Sequence, residues 1–271
     1  MSRGAVPGPG GSLLRHRALL ATLTARELKG RYRGSLLGFF WSLVQPLLLL
    51  LVYSFVFGHV FQPRVPGAEP YPLFLVAGMF PWIWFSTSLS DGTISLTTNA
   101  NLIRRSIFPI ELLPGVAVLA NMIHFLLALP VVAAGLLWSR LEGFDVGGWG
   151  LVAVPLVVLV EVPLVAGCAL GLATLHAHFK DVRDLLTSGL MLLMFLTPIF
   201  YPLEAVQIPA LRWVVRLAPT TPFTLAYQQA IVAGRFPDAA LWLQMLVVSL
   251  LAWVVGAFVF TRLRDTLVEA L

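Results

Sequence analysis

Apolar runs too long for a soluble domain recur along this chain, and each calls for a solvent other than water. They cover approximately Leu36–Phe57, Leu73–Leu89, Leu112–Trp138, Leu151–Leu175, Leu185–Tyr201 and Ala239–Phe260. A helix needs about 17–25 apolar residues to cross the hydrocarbon core, so the second and fifth runs lie near the lower limit and the others cross with some tilt. Charged residues make up 11% of the 271, against about 25% in a soluble domain. With a mean hydropathy of +0.87, too little polar surface is left to wet a globule. The expected fold class is all-α, a polytopic membrane protein with six transmembrane helices.

The basic residues set the orientation. Thirteen fall on one side of a six-span arrangement: seven in residues 1–35, then Arg104, Arg105, Lys180, Arg183, Arg262 and Arg264. Arg64, Arg140, Arg212, Arg216 and Arg235 fall on the other. Positive residues accumulate in cytoplasmic loops, so both termini are expected in the cytoplasm. The net charge of +5 therefore reports topology and not a nucleic-acid partner, since the charges flank apolar runs.

Outside the spans, the Gly/Pro-rich residues 1–12 are expected to be disordered, and no signal peptide follows them. Residues 13–33 read as an amphipathic helix on the membrane surface. Arg15, Thr22, Arg26, Lys29 and Arg33 share one stripe, and Ala18, Ala21, Ala25, Leu28 and Tyr32 form a neighbouring apolar strip. The same charges read equally as a topogenic flank. In the loop at 91–111, Thr97 or Thr98 is placed to cap a short helix through Ile107, which Pro109 ends. Carrying Arg104 and Arg105, this helix reads as a docking peg or as a second topogenic loop.

Residues 202–237 hold two helical stretches too short to cross, Ile208–Leu217 and Phe223–Ala233. Thr221 is placed as N-cap, Pro222 as the first helical residue and Gly234 as the stop of the second. They read as a re-entrant or surface hairpin on the outer face. The segment 34–262 is then the six-span domain, and 263–271 is a cytoplasmic tail.

Little here supports catalysis. His176 and His178 are two apart and point to different sides of a helix, and His124 stands alone. No His/Cys/Glu set has metal-ligand spacing, and a Gly-x-Ser-x-Gly elbow is missing. Cys168, the single cysteine, lies in the small-residue run GCALGLA and reads as a packing residue. The phosphate-binding loop requires Gly-Lys-Ser/Thr, and neither Lys29 nor Lys180 follows a glycine, so the chain cannot bind ATP by that motif. Glu161 is the clear intramembrane carboxylate, and a basic or hydroxyl partner on another helix accounts for it better than ion coupling. Asp91 is placed at the cytoplasmic end of the second span. Aromatics cluster at 39–41, 53–57 and in FPWIWF at 80–85. They read as the interfacial belt, as helix packing, or as a wall past which sugar rings can slide.

Four stretches give the chain a resemblance. They are RELKGRYRGSLLGFFWSLVQP at 26–46, NANLIRRSIFPIELLP at 99–114, FKDVRD with TPIFYP at 179–184 and 197–202, and the hairpin at 219–235. In these the chain resembles the membrane permease of ATP-binding-cassette polysaccharide exporters of the O-antigen, capsule or teichoic-acid type. Thr221-Pro222 departs from the expected Asn-Pro and touches only the cap.

The resemblance implies a homodimeric half-transporter in the cytoplasmic (inner) membrane of a bacterium. It would dock two copies of an ABC ATPase subunit that binds ATP and Mg, with no cofactor in this chain. Its cargo would be a lipid-linked polysaccharide. Asn99, Asn101, Leu102, Arg104, Arg105 and Ile107 would couple to the ATPase, and Arg26, Lys29, Arg31 and Arg33 would meet the substrate headgroup at entry. Phe39, Trp41, Tyr53, Trp82, Phe85 and Tyr201 would line the channel. Export of a drug or lipid by the same fold, or an ion-coupled carrier using Glu161, are the rival expectations.

Overall fold

In the computed structural model, residues 9–31, 33–34, 40–41, 44, 47–48, 51–52, 55–56, 68–105 and 109–271 are described. The first expected span therefore lies mostly outside the described residues, as do Phe39, Tyr53 and Ile107. Helices follow the apolar runs: α1 (Pro9–Arg15), α2 (Arg17–Arg31), α3 (Tyr71–Thr98), α4 (Ala100–Arg105) and α5 (Leu112–Leu141). After them come α6 (Ala153–His178), α7 (Val182–Leu196), α8 (Pro209–Leu217), α9 (Thr221–Ile231), α10 (Ala239–Leu263) and α11 (Leu267–Ala270). Among the described residues there is no strand.

Among the described residues, four helices are long and apolar enough to cross a membrane, namely α3, α5, α6 with the turn before it, and α10 with the turn after it. The fifth expected span is shorter than its apolar run. Its helix, α7, has 15 residues and stops before Thr197-Pro198, because proline disfavours helix in the residue before it. At 1.5 Å per residue α7 rises roughly 22 Å, less than the ~30 Å hydrocarbon core.

α3 is the centre of the bundle. Of its most apolar window 78% is buried, against 22% for α10, so α3 is wrapped by its neighbours and α10 lies on the outside. α5, α6 and α9 pack around α3, and α10 packs along α6. On α10 the buried positions Leu241, Met245, Ser249, Gly256 and Phe260 face inward. Leu243, Leu246, Leu250, Val254 and Phe258 form an exposed apolar strip of the kind lipid solvates.

Small residues set the closest approaches, as expected where van der Waals packing replaces the hydrophobic effect. A Cβ on Gly167 would lie 2.5 Å from Trp253 Cα, and one on Gly256 would collide with the Gly167 carbonyl oxygen. Gly92 meets Ala169 in the same way, at 2.8 Å.

Several expectations change at this stage. Helix begins already at Pro9, inside the stretch expected to be disordered, with Gly10 against the Trp253 ring. On α2 the buried and half-buried positions are Leu20, Leu23, Thr24 and Leu28, and the expected strip Ala18, Ala21 and Ala25 is exposed. The inward face of α2 packs on α5, where Leu20, together with Leu13 of α1, approaches Gly115. Branched leucines gain more from that contact than alanines do.

α3 continues past Leu89 to Thr98, so Asp91 sits within the helix and not at its end. The break falls at Asn99. Thr97 does not cap α4; its hydroxyl donates back to the Ile94 carbonyl. In the hairpin, the second helix starts one residue earlier than expected, with Thr220 as the flanking residue and Pro222 in the first turn. The Thr221 hydroxyl donates to the Val215 carbonyl at 2.6 Å and ties α9 to α8 instead of capping.

Candidate functional site

Two polar assemblies tie the helices of the bundle together. The first gathers α2, α3, α4 and α5. Arg31, at the last turn of α2, donates from Nη2 to Asp91 Oδ2 at 2.7 Å and from Nη1 to Asn121 Oδ1 at 2.9 Å. Asn121 Nδ2 donates to the same Asp91 oxygen at 2.9 Å. Three residues, 60 and 30 positions apart in sequence, thus close a triangle of charge-assisted bonds, which are stronger than neutral ones. Arg31 Nε also reaches Glu27 at 3.3 Å. The triangle ties the end of α2 to the middle of the bundle.

Beside it opens a cavity of about 620 Å³ whose walls include Arg26, Arg31, Asp91, Ser95, Asn99 and Leu102. Asn99 joins α3 to α4. Its side chain donates to the Ser95 carbonyl at 2.8 Å, and its own carbonyl accepts from the Leu102 and Ile103 amides. On α4, Asn101 and Arg104 are exposed, Leu102 is half-buried and Ile103 is buried. Arg105 belongs to the helix, and Ile107 lies outside the described residues. Arg26, Lys29 and Arg33 are exposed, so of the four basic residues expected at the headgroups Arg31 alone is committed to the triangle.

The second assembly holds the hairpin. α9 is buried along most of its length, whereas α8 buries only Val215. Trp84 of α3 stacks on Phe125 of α5 at 5.4 Å, and Phe125 meets Tyr227 of α9 edge-on at 6.3 Å. The Tyr227 hydroxyl donates to Glu161 Oε2 on α6 at 2.8 Å. Glu161 therefore has the hydroxyl partner on another helix that the sequence reading favoured.

Further bonds seat the same element. The Gln228 amide donates to the Pro198 carbonyl at 2.9 Å, and the Thr197 and Thr220 hydroxyls meet at 2.6 Å. Beyond α9, Gly234 has φ +64°, and a Cβ there would strike the Gly147 carbonyl. The Gly147 amide donates to Ile231 O and the Gly150 amide to Gly234 O, so the loop before α6 grips the end of α9 through backbone bonds alone.

Tyr227→Phe should leave Glu161 buried without its donor, at a cost of about 1–3 kcal/mol. Glu161→Gln, whose amide oxygen still accepts from Tyr227, should cost less. Thermal melting of the two detergent-solubilised variants checks the order.

The expected channel aromatics separate into three groups. Trp82 and Phe85 are buried in the main core, with rings 5.7 Å apart. Trp41 is 46% exposed. Tyr201 is half-buried, and its hydroxyl donates to the Phe195 carbonyl at 2.8 Å. It borders an apolar hollow of about 600 Å³ with Phe195, Val206, Ile208, Leu211 and Val215. No group of His, Cys, Asp and Glu fit to hold a metal occurs among the described residues. Sequence reasoning missed the Arg31–Asp91–Asn121 triangle and the burial of Ile103. A lone Asn within an apolar run, and an Asp just past the end of the preceding run, were the available signal for the first.

Long apolar helices around a buried α3, with a short helix at its end and a pinned helical hairpin, describe a polytopic membrane protein. The chain belongs to the ABC-2 type transporter family, whose sequence profile matches residues 18–232. It is 32% identical over 261 residues to the O-antigen export system permease protein RfbA of Myxococcus xanthus, covering 96% of this chain and 97% of that one. An RfbA of Klebsiella pneumoniae is 28% identical over 253 residues, 93% and 95% of the two chains. The polysialic acid transport protein KpsM of Escherichia coli is 25% identical over 194 residues, 70% and 72%.

Proposed function

We propose that this chain is the membrane-spanning subunit of an ABC exporter that moves a lipid-linked polysaccharide outward across the bacterial cytoplasmic membrane. The observation that carries this reading is near-full-length similarity to a permease named for O-antigen export, at 32% identity. The chain acts as a homodimer with both termini in the cytoplasm. Two copies of a separate ABC ATPase supply the energy and bind ATP and Mg, consistent with the missing Gly-Lys-Ser/Thr motif in this sequence.

α4 is the seat for the ATPase, presenting Asn101 and Arg104 while Asn99 and Leu102 join it to the bundle; Arg105 and Ile107 complete the proposed coupling set. Arg26, Lys29 and Arg33 face the headgroups where the carrier enters, and Arg31 holds α2 in place for them. Trp41 and Tyr201, together with Phe39 and Tyr53, contribute the aromatic wall. Trp82 and Phe85, sealed within the core, are outside that part of the proposal. The hairpin of α8 and α9 closes the outer mouth. ATP-driven closure of the ATPases moves α4, and the dimer interface opens.

Cells that carry this permease without its ATPase subunit should put no glycan on their surface, and restoring the ATPase should restore it. Glycan export that persists without the ATPase refutes the reading. ATP-dependent release of a lipid or drug with no glycan would reassign the cargo. Glu161→Gln should keep most export, because the hydrogen bond from Tyr227 survives. An ion-coupled carrier requires that variant to be dead.

A further inference from the structure

The end of the bundle that holds α4 has its own hydrophobic cluster, separate from the main core. Ile103 of α4 is 6% exposed, and it belongs to a group with Leu96 of α3, Leu113 of α5, Ala173 of α6, Phe260 of α10 and Leu267 of α11. Leu267 is fully buried, although it lies on a four-residue helix in what the sequence presents as a tail. A short helix holds a buried leucine only if something else fixes its position, and two contacts do so. His178 Nε2 and the Thr266 hydroxyl are hydrogen-bonded at 2.9 Å, joining the segment to the last residue of α6. The Arg264 guanidinium lies 5.9 Å from the centroid of the Phe260 ring, within cation–π range. The final segment therefore folds back under the spans and closes the cluster from below.

This geometry bears on how a displacement of α4 travels. α4 has six residues and is continuous with α3 only through Asn99. Among its described side chains Ile103 alone is deeply buried, and it enters the same cluster as Ala173 of α6 and Phe260 of α10. Packed side chains carry force because they have no space to yield into. Leu267 is a fully buried member of that cluster.

We propose that the segment Arg264–Leu271 is a working part of the ATPase-coupling apparatus. Leu267 acts as the positioning residue that backs the root of α4, so that displacement of α4 is delivered to α6 and α10. This rests on the reading of α4 as the ATPase seat. Polar contacts to the ATPase itself stay with Asn101 and Arg104, and Leu267 touches no partner.

The test uses full-length permease co-expressed with its ABC ATPase, comparing wild type with Leu267→Asp, Leu267→Ala and Leu267→Met. Three quantities are read: co-purification of the ATPase, ATP hydrolysis by the complex, and surface glycan exported per ATP hydrolysed. Leu267→Ala should keep co-purification and hydrolysis, yet lower export per ATP by at least about fivefold, the lower end of typical coupling energies. Leu267→Met, which refills the volume, should restore it. Leu267→Asp should act as Ala does, more severely.

Lost co-purification in Leu267→Ala, or unchanged export per ATP at wild-type melting temperature, overturns the proposal. So does failure of Leu267→Met to recover. If wild-type permease itself neither binds nor needs an ATPase, the functional reading fails first. If it does both and Leu267→Ala is indistinguishable from it, the present inference fails alone.

Discussion

Gly256→Leu is expected to abolish accumulation of folded permease. A Cβ at this position would fall on the Gly167 carbonyl oxygen, and the reciprocal Cβ on Gly167 would lie 2.5 Å from Ala252 O and Trp253 Cα. Every atom in the conflict is backbone, so no change of side-chain rotamer relieves it, and α6 and α10 must move apart. Overpacking against side chains costs roughly 1–3 kcal/mol, and a collision of two backbones belongs at or above the top of that range. In lipid no hydrophobic force presses the helices back together. The outer strip of α10, with Leu243, Leu250 and Phe258, is as well solvated by acyl chains after separation as before. Ser249, which donates to the Val160 carbonyl at 2.6 Å, would lose its partner with the packing.

Gly189→Leu on α7 is the control. Nothing lies within 4 Å of a Cβ there, so folding of the single chain should be unaffected. Yield of monodisperse protein in detergent and its melting midpoint read both variants. A Gly256→Leu protein with wild-type values for both would show that the two helices do not cross at these glycines.

The same crossing shows how far the sequence could be read. The small-residue run GCALGLA was legible as a packing stretch in α6, but its partner, Gly256, sits in the last span, and no local pattern joins the two. The long apolar runs fixed the start of α5 at Leu112 and of α10 at Ala239, because hydrophobic length is a property of the run itself. Helix ends were less legible. Ser90-Asp91-Gly92 reads locally as the end of a span, yet α3 continues to Thr98 because Arg31 and Asn121 satisfy Asp91 and Ala169 covers Gly92. On α2 the exposed stripe of Thr22, Arg26 and Lys29 was legible. Arg15 lies on α1 and Arg33 beyond the end of α2, because the single helix expected over 13–33 breaks at His16 and stops at Arg31. The inward face of α2 depended on where α5 would lie. Glu161 needed a hydroxyl or basic partner on electrostatic grounds alone. Which residue would supply it, Tyr227, depended on where α9 would pack against α6. The burial of Leu267 was illegible, since a short tail that mixes Arg264, Asp265 and Glu269 with three leucines carries no sign of which leucine is covered.

Asp91→Arg should release α2 from the bundle and cut export by about tenfold, equivalent to ~1.4 kcal/mol of lost positioning. The substitution places a cation beside Arg31 and removes the oxygen that both Arg31 and Asn121 donate to. The pair is partly exposed, at 27% and 38% of the two side chains, so solvent screening limits its direct worth to about 1 kcal/mol. The further loss comes from turning attraction into repulsion and from leaving the Asn121 amide without an acceptor.

Because α2 carries Arg26 and Lys29 and borders the 620 Å³ cavity, its release displaces the surface proposed to meet the incoming headgroup. The reversed pair Arg31→Asp with Asp91→Arg should recover part of the export and not all of it. Glu27, 3.3 Å from Arg31 in the native arrangement, would then face a second carboxylate. The double-mutant cycle, read as surface glycan at matched permease levels, separates this coupling from general damage. If the double variant exports no more than the product of the two single effects, Arg31 and Asp91 act independently and the triangle does not hold α2.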